Sequence, residues 1–133
     1  MKLLSFRYED RTKFGPKVKR EDAVWDVLSI AEEYGIADFP QTITEGISLG
    51  LDFVEKVRAI VEQALQDDNP NRFKYAFTEI EWLAPIPRTP KNVLCVGKNY
   101  ADHVKEMGSD TPPEKLVVFT KSPLSIAADE EDL

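Results

Sequence analysis

The chain has 133 residues, of which 42% are hydrophobic and 31% charged, the composition of a globular protein with a packed core. Seventeen basic against twenty-four acidic residues leave a formal charge of −7, which argues against phosphate-backbone binding and against an anionic membrane surface. No apolar run approaches the roughly 20 residues that span a bilayer, and Met1–Arg11 has no apolar stretch of signal-peptide length. The single cysteine, Cys95, has no internal disulfide partner, which predicts a reducing, cytoplasmic setting.

Leu3–Tyr8 reads as a first strand with Leu4, Phe6 and Tyr8 on one face. Glu9, Asp10 and Arg11 supply a polar turn, and Lys13–Lys19 returns as a second strand that Gly15-Pro16 interrupts. Ala23–Val27 is a third short strand, with Val24 and Trp25 expected in the core. Leu28–Tyr34 predicts a short helix ended by Gly35, and Thr44–Leu49 a further turn or two of helix.

Between Asp52 and Gln66 the apolar residues Phe53, Val57, Ile60, Val61, Ala64 and Leu65 recur at helical spacing. Asp52 and Glu55 suit the N-cap and N3 positions of a capping box at its start. Such a stripe is ordinarily core packing, and it carries no chemistry of its own. Phe73, Tyr75 and Phe77, then Ile80 and Trp82, alternate with polar neighbours and predict a strand or strand pair with one buried face.

Ala84–Pro90 reads APIPRTP, an extended proline-rich connector. It divides an N-terminal domain, residues 1–83, from residues 91–133, with 84–90 as the linker. No internal repeat, glycine-rich phosphate loop, CxxC, HExxH or serine-nucleophile motif is present.

Asn92–Met107 concentrates what chemistry the sequence offers. Val93–Val96 suits a buried strand with Cys95 inside it, Gly97 breaks the run, and Asn99 can cap a short helix over Tyr100–Met107 that Gly108 ends. On that helix His103 and Glu106 stand at i and i+3, on one face. Such a spacing describes either a solvated pair worth about 0.2–0.5 kcal/mol or a carboxylate that orients an imidazole for proton transfer. His103 is the only histidine in the sequence, so no other imidazole can serve as a base. Lys98 and Lys121, read from the residues themselves, are ordinary solvated surface charges.

The string VLCVGKNYADHVKEMGS, followed by Pro112, Pro113 and VVFTKSP (Val117–Pro123), resembles the opening of the catalytic domain in the fumarylacetoacetate hydrolase family. It is similar above all to the smaller members, namely acylpyruvate hydrolases, oxaloacetate decarboxylases and hydroxymuconate-type isomerases and decarboxylases. The likeness runs from about Ala84 to Pro123.

That resemblance implies an α+β protein: a small β-rich N-terminal domain with a packed amphipathic helix, then the first strand–helix–strand of a mixed β-roll. It implies hydrolysis or decarboxylation at a C–C bond of a small 2-oxo acid, with magnesium or manganese as cofactor. His103 and Glu106 match the catalytic dyad, Lys98 and Lys121 border the substrate, and a homodimer is expected where the catalytic domain is complete. In the family a Glu-x-Glu strand supplies metal ligands after the KSP element. Leu124–Leu133 (LSIAADEEDL) departs from that pattern. Asp129, Glu130, Glu131 and Asp132 form a contiguous acidic run, ordinarily solvated. The expectation is therefore that residues 91–133 form only the opening of the catalytic domain, without metal ligands, and that these 133 residues alone are inactive. The alternative is a non-catalytic fragment or assembly module of such an enzyme.

Overall fold

β1 (Leu3–Tyr8) runs antiparallel to β2 (Arg11–Pro16), from Leu3 opposite Pro16 to Tyr8 opposite Arg11, in a computed structural model that describes residues 1–97, 108, 116–129 and 131. Glu9 and Asp10 form the two-residue loop, with φ of 46° and 61°. Positive φ at both central residues is the pattern of a type I′ turn, whose twist matches that of the flanking strands. Phe6 is fully buried on one face of β1. Ser5, on the other face, is buried too, because its hydroxyl donates to the Pro85 carbonyl at 2.8 Å.

The expected return strand over Lys13–Lys19 is displaced. It starts at Arg11 and ends at Pro16, and Lys17 makes only an isolated bridge to Val24. Gly15 does more than interrupt the strand. A Cβ there would lie 1.7 Å from the carbonyl oxygen of Trp25. The backbone of β3 (Ala23–Trp25) rests directly on it.

The third strand also stops short of the expected Val27, because Asp26 turns the chain into α1 (Val27–Glu33). Its carboxylate accepts from the backbone N–H groups of Leu28 at 3.2 Å and Ser29 at 3.1 Å, satisfying two free donors of the first turn. Gly35, at φ +66°, follows the helix end in the left-handed region. α2 (Ile43–Ile47) begins at Thr42, whose side chain accepts from the Glu45 N–H at 3.1 Å.

α3 (Leu51–Ala64) is the long helix that the apolar stripe predicts, but its start differs. Gly50, at φ +64° and without a side chain to cap, is the N-cap residue. Asp52 sits instead in the first turn, where its charge complements the helix dipole, and Glu55 pairs with Arg58 at 2.8 Å. Phe53, Val57, Ile60 and Ala64 are buried, Val61 is half-buried, and Leu65 is exposed just past the helix end. α2 lies tight against α3, because a Cβ on Gly46 would fall within 2.3–2.5 Å of the Phe53 ring.

The expected alternation over residues 73–82 is broken twice. A 3₁₀ turn over Pro70–Phe73 leads into β4 (Lys74–Ala76), and a second over Phe77–Glu79 leads into β5 (Glu81–Trp82). β4 pairs with β3, whereas β5 pairs with β1, giving the order β2-β1-β5 in the larger sheet. The intervening turn has three residues per turn and resets the two-residue alternation. Phe73 is therefore buried, Tyr75, Phe77 and Ile80 are half-buried, and Trp82 is exposed.

Helices and sheets share one core around Phe14, Trp25, Ile30, Phe53, Val57 and Ile60. The Phe14 ring lies 6.3 Å from that of Phe39 and 6.0 Å from that of Phe53. The architecture is mixed α+β. Two compact units are present, one of Met1–Pro87 with Ala127–Leu133, the other of Arg88–Ile126. In the second, β6 (Val93–Gly97) pairs antiparallel with β7 (Val117–Lys121). The expectation of a buried strand here is not met: Leu94 is 74% and Val96 49% exposed, and Cys95 is half-buried. Among the described residues of this unit the two strands have no second layer to bury them. Among the described residues no helix is long and apolar enough to cross a membrane.

Candidate functional site

β6 and β7 carry the described part of the site expected from the sequence. In their register Val93 faces Lys121, Cys95 faces Phe119 and Gly97 faces Val117. Directly paired residues share a face, so these six side-chain positions lie on one side, and Leu94, Val96, Val118 and Thr120 on the other. Gly97 remains in the strand rather than turning the chain through a positive φ. A Cβ there would meet Val117 Cγ1 at 3.3 Å and Phe119 Cε1 at 3.4 Å, so the missing side chain gives room to those two.

Lys121 closes β7 and is exposed, its Nζ 5.9 Å from the centroid of the Phe119 ring. Lys98, His103 and Glu106 lie outside the described residues, as do Asn99 and the expected helix over Tyr100–Met107. Gly108 has φ +75°, a left-handed backbone.

Among the described residues there is no group of three or more His, Cys, Asp or Glu that could hold a metal ion. Of the acidic run, Glu131 accepts from the Ala128 N–H at 2.7 Å, a local turn contact. Among the described residues no donor set fits a divalent cation.

A polar cluster that sequence reasoning missed sits elsewhere. Lys13 of β2 donates to the Asp26 carboxylate and, at 3.1 Å, to the Ser29 hydroxyl, beside an open cleft of about 610 Å³ that Arg11, Glu32 and Gln41 also line. A serine beside a lysine can be a nucleophile and its base, but only where the amine is neutral. Burial pulls the Lys13 pKa down, yet the adjacent Asp26 carboxylate overcomes it and holds the ammonium above its ordinary value. The lysine keeps its proton. Asp26 and Ser29 form a cap-and-anchor device, and the Asp-x-x-Ser spacing at a helix start was its signal in the sequence.

A second network joins the ends of α1 and α3. Asp67 accepts from the Tyr34 hydroxyl, the Arg72 guanidinium and the Asn69 N–H, each at 2.8 Å, and Arg72 also binds Glu33 at 2.8 Å. The Asn69 N–H, then Arg72 and Tyr34, hold the Asp67 pKa down at about 2. The same contacts raise Arg72 above its ordinary value, and the bond to Asp67 raises Tyr34. All the members of this network are satisfied by one another, which marks it as structural.

No family model matches the sequence. The chain is 43% identical over 136 residues to an uncharacterized protein of Staphylococcus haemolyticus, covering 100% of the chain and 44% of that protein. It is 44% identical over 133 residues to an uncharacterized protein of Staphylococcus epidermidis, covering 98% and 43% respectively. To an uncharacterized protein of Staphylococcus aureus it is 42% identical over 132 residues, covering 97% and 43%. The chain thus spans less than half the length of these curated relatives.

Proposed function

We propose that this chain carries the front part of a metal-dependent enzyme of the fumarylacetoacetate hydrolase type, which cleaves a C–C bond of a small 2-oxo acid by hydrolysis or decarboxylation. The observation that carries the reading is the string from Ala84 to Pro123, with His103 and Glu106 in the spacing of the family's dyad. The divalent ion that the family uses, magnesium or manganese, supplies charge neutralisation on the chelated 2-oxo acid when bound. On this reading its ligands are residues other than those described.

The roles open to this chain's own side chains follow from their chemistry. His103 takes a proton at one ring nitrogen from a water or a substrate carbon, and Glu106 accepts from the other, fixing the tautomer and stabilising the imidazolium. Lys98, directly after β6, and Lys121, at the end of β7, contribute positive charge for a substrate carboxylate. A homodimer in a reducing cytoplasm suits the reading, since the single cysteine stays a thiol there.

The short span against the relatives favours one second reading, in which these residues act as a non-catalytic assembly module. The two are separated by joining the chain, in the relative's own order, to the part of the Staphylococcus haemolyticus protein that it does not match. The joined protein should bind oxalate, a mimic of the chelating substrate end, only with magnesium or manganese present, as read by calorimetry. It should cleave an acylpyruvate or oxaloacetate, and His103→Ala should lower turnover by about 100-fold or more. The 133 residues alone should show no cleavage above that of free metal. Absence of metal-dependent oxalate binding in the joined protein, or unchanged turnover with His103→Ala, would reject the enzymatic reading.

A further inference from the structure

We infer that the ribbon of β6 and β7 is a docking surface for a second stretch of polypeptide, equivalent to the part of the staphylococcal relatives that this chain does not match. Both faces of the ribbon are apolar. Leu94, Val96 and Val118 on one side are 74%, 49% and 52% exposed, and Val117 and Phe119 on the other are 41% and 44% exposed. Of the ten residues in the two strands only Lys121 is charged.

The hairpin of the first unit is built differently. β1 and β2 interleave Arg7, Arg11 and Lys13 with their apolar residues, and Phe6 on one face and Phe14 on the other are already buried within that unit. Strands apolar on both sides belong inside a sheet covered by two layers, and a lone two-stranded ribbon is marginal in water. Among the described residues each strand of the ribbon has one neighbour, so each leaves an unpaired edge.

A second copy of this chain does not meet that need. A twofold contact uses the same patch on both partners and would cover one face or one edge, leaving the others in water. A longer polypeptide can add strands at the edges and layers on the faces together. The relatives supply one, since more than half of their length lies outside the stretch matched here. The inference rests on residues 91–133 being the opening of a larger domain, and it is indifferent to the reaction.

Amide hydrogen exchange tests it on the chain as it is, and again with the unmatched part of the Staphylococcus haemolyticus protein co-expressed as a separate polypeptide. In the chain alone, the β6 and β7 amides should exchange about 100-fold faster than those of β1 and α3, and the co-expressed part should slow them to within about tenfold. Leu94→Lys and Val118→Lys, at exposed positions, should lower the amount of partner retained by about tenfold or more while exchange in β1 and α3 stays unchanged. Ribbon amides as slow as those of β1 in the monomeric chain would overturn the proposal. So would a self-associated chain that protects the ribbon, failure of the partner to co-purify, or full retention by both lysine variants. A complex that forms yet binds no oxalate with metal would remove the catalytic reading and leave this one standing.

Discussion

Lys13 reaches across from β2 to the carboxylate of Asp26, which is wholly buried at the start of α1, while the lysine side chain itself is only 12% exposed. The pair joins the first hairpin to the first helix, and the same carboxylate caps that helix. Its stakes are asymmetric. Two charges out of water gain little over a well-packed apolar pair, but one left without the other is costly.

Lys13→Met should therefore destabilise the chain by about 3–5 kcal/mol, because it strands the Asp26 carboxylate in the core. Lys17→Met removes a partner from Asp22, whose side chain is 87% exposed, and should cost no more than about 1 kcal/mol. Urea unfolding followed by circular dichroism measures both. Equal losses in the two variants would mean that the Lys13 pair is as solvated as the other.

Gly15→Ala should lower stability by about 1–3 kcal/mol or more, since the new methyl would stand 1.7 Å from the Trp25 carbonyl oxygen and two backbones would have to part. Thermal melting of the variant checks this. An unchanged midpoint would show that β2 and β3 are not in that close contact.

In α3, Ile60→Ala should cost about 2–5 kcal/mol, because Ile60 is 2% exposed among core residues. Val61→Ala, one position around the helix and half-buried, should cost less than half as much. If chemical denaturation gave the reverse order, the buried face of the helix would have been misassigned.

The Asp67 network gives a pH dependence with a definite sign. Its folded pKa, about 2, lies below the ordinary value of 3.8, so the stabilisation is fully present above about pH 4 and is lost as pH falls towards 2. The melting temperature of the wild-type chain should exceed that of Asp67→Asn by a constant amount at neutral pH, with the gap closing between about pH 4 and 2. A carboxyl resonance of Asp67 titrating near 4 by NMR would contradict the network. At the other end of the scale, Lys13 has a raised pKa, so its contribution holds below 10.5 and fades as pH rises through the folded value.

The β1–β2 loop stores avoidable strain, because Glu9 and Asp10 both have positive φ. Replacing them by Asn-Gly should stabilise the hairpin by about 1 kcal/mol, as these residues occupy that region at little cost. A lowered melting temperature in Glu9→Asn/Asp10→Gly would count against the turn assignment.

Much of the fold was legible where a few neighbouring residues settle the matter. The stripe from Phe53 to Ala64 announces α3, and the β-branched run around Val93 announces β6, because propensity and periodicity act over one or two turns or strand repeats. The first strand bordering the candidate site was readable for the same reason, and Lys121 falls at the end of the second. The residues proposed for the chemistry, Lys98, His103 and Glu106, lie outside the described residues and are named by the resemblance of their string, not by spacing.

Other features needed partners distant in sequence. Asp26 reads as one more residue of an alternating strand until Lys13 and the amides of α1 meet its carboxylate. The alternation over residues 73–82 looks like one strand, but β4 and β5 are drawn into different sheets by β3 and β1. The start of α3 follows the left-handed turn at Gly50 rather than the Asp52–Glu55 pattern, since the close approach of Gly46 to Phe53 sets how α2 enters α3. Burial was the least legible of all. The ribbon sequence is as apolar as a core strand, and its side chains are exposed because apolar character belongs to the residue, whereas burial belongs to whatever packs upon it.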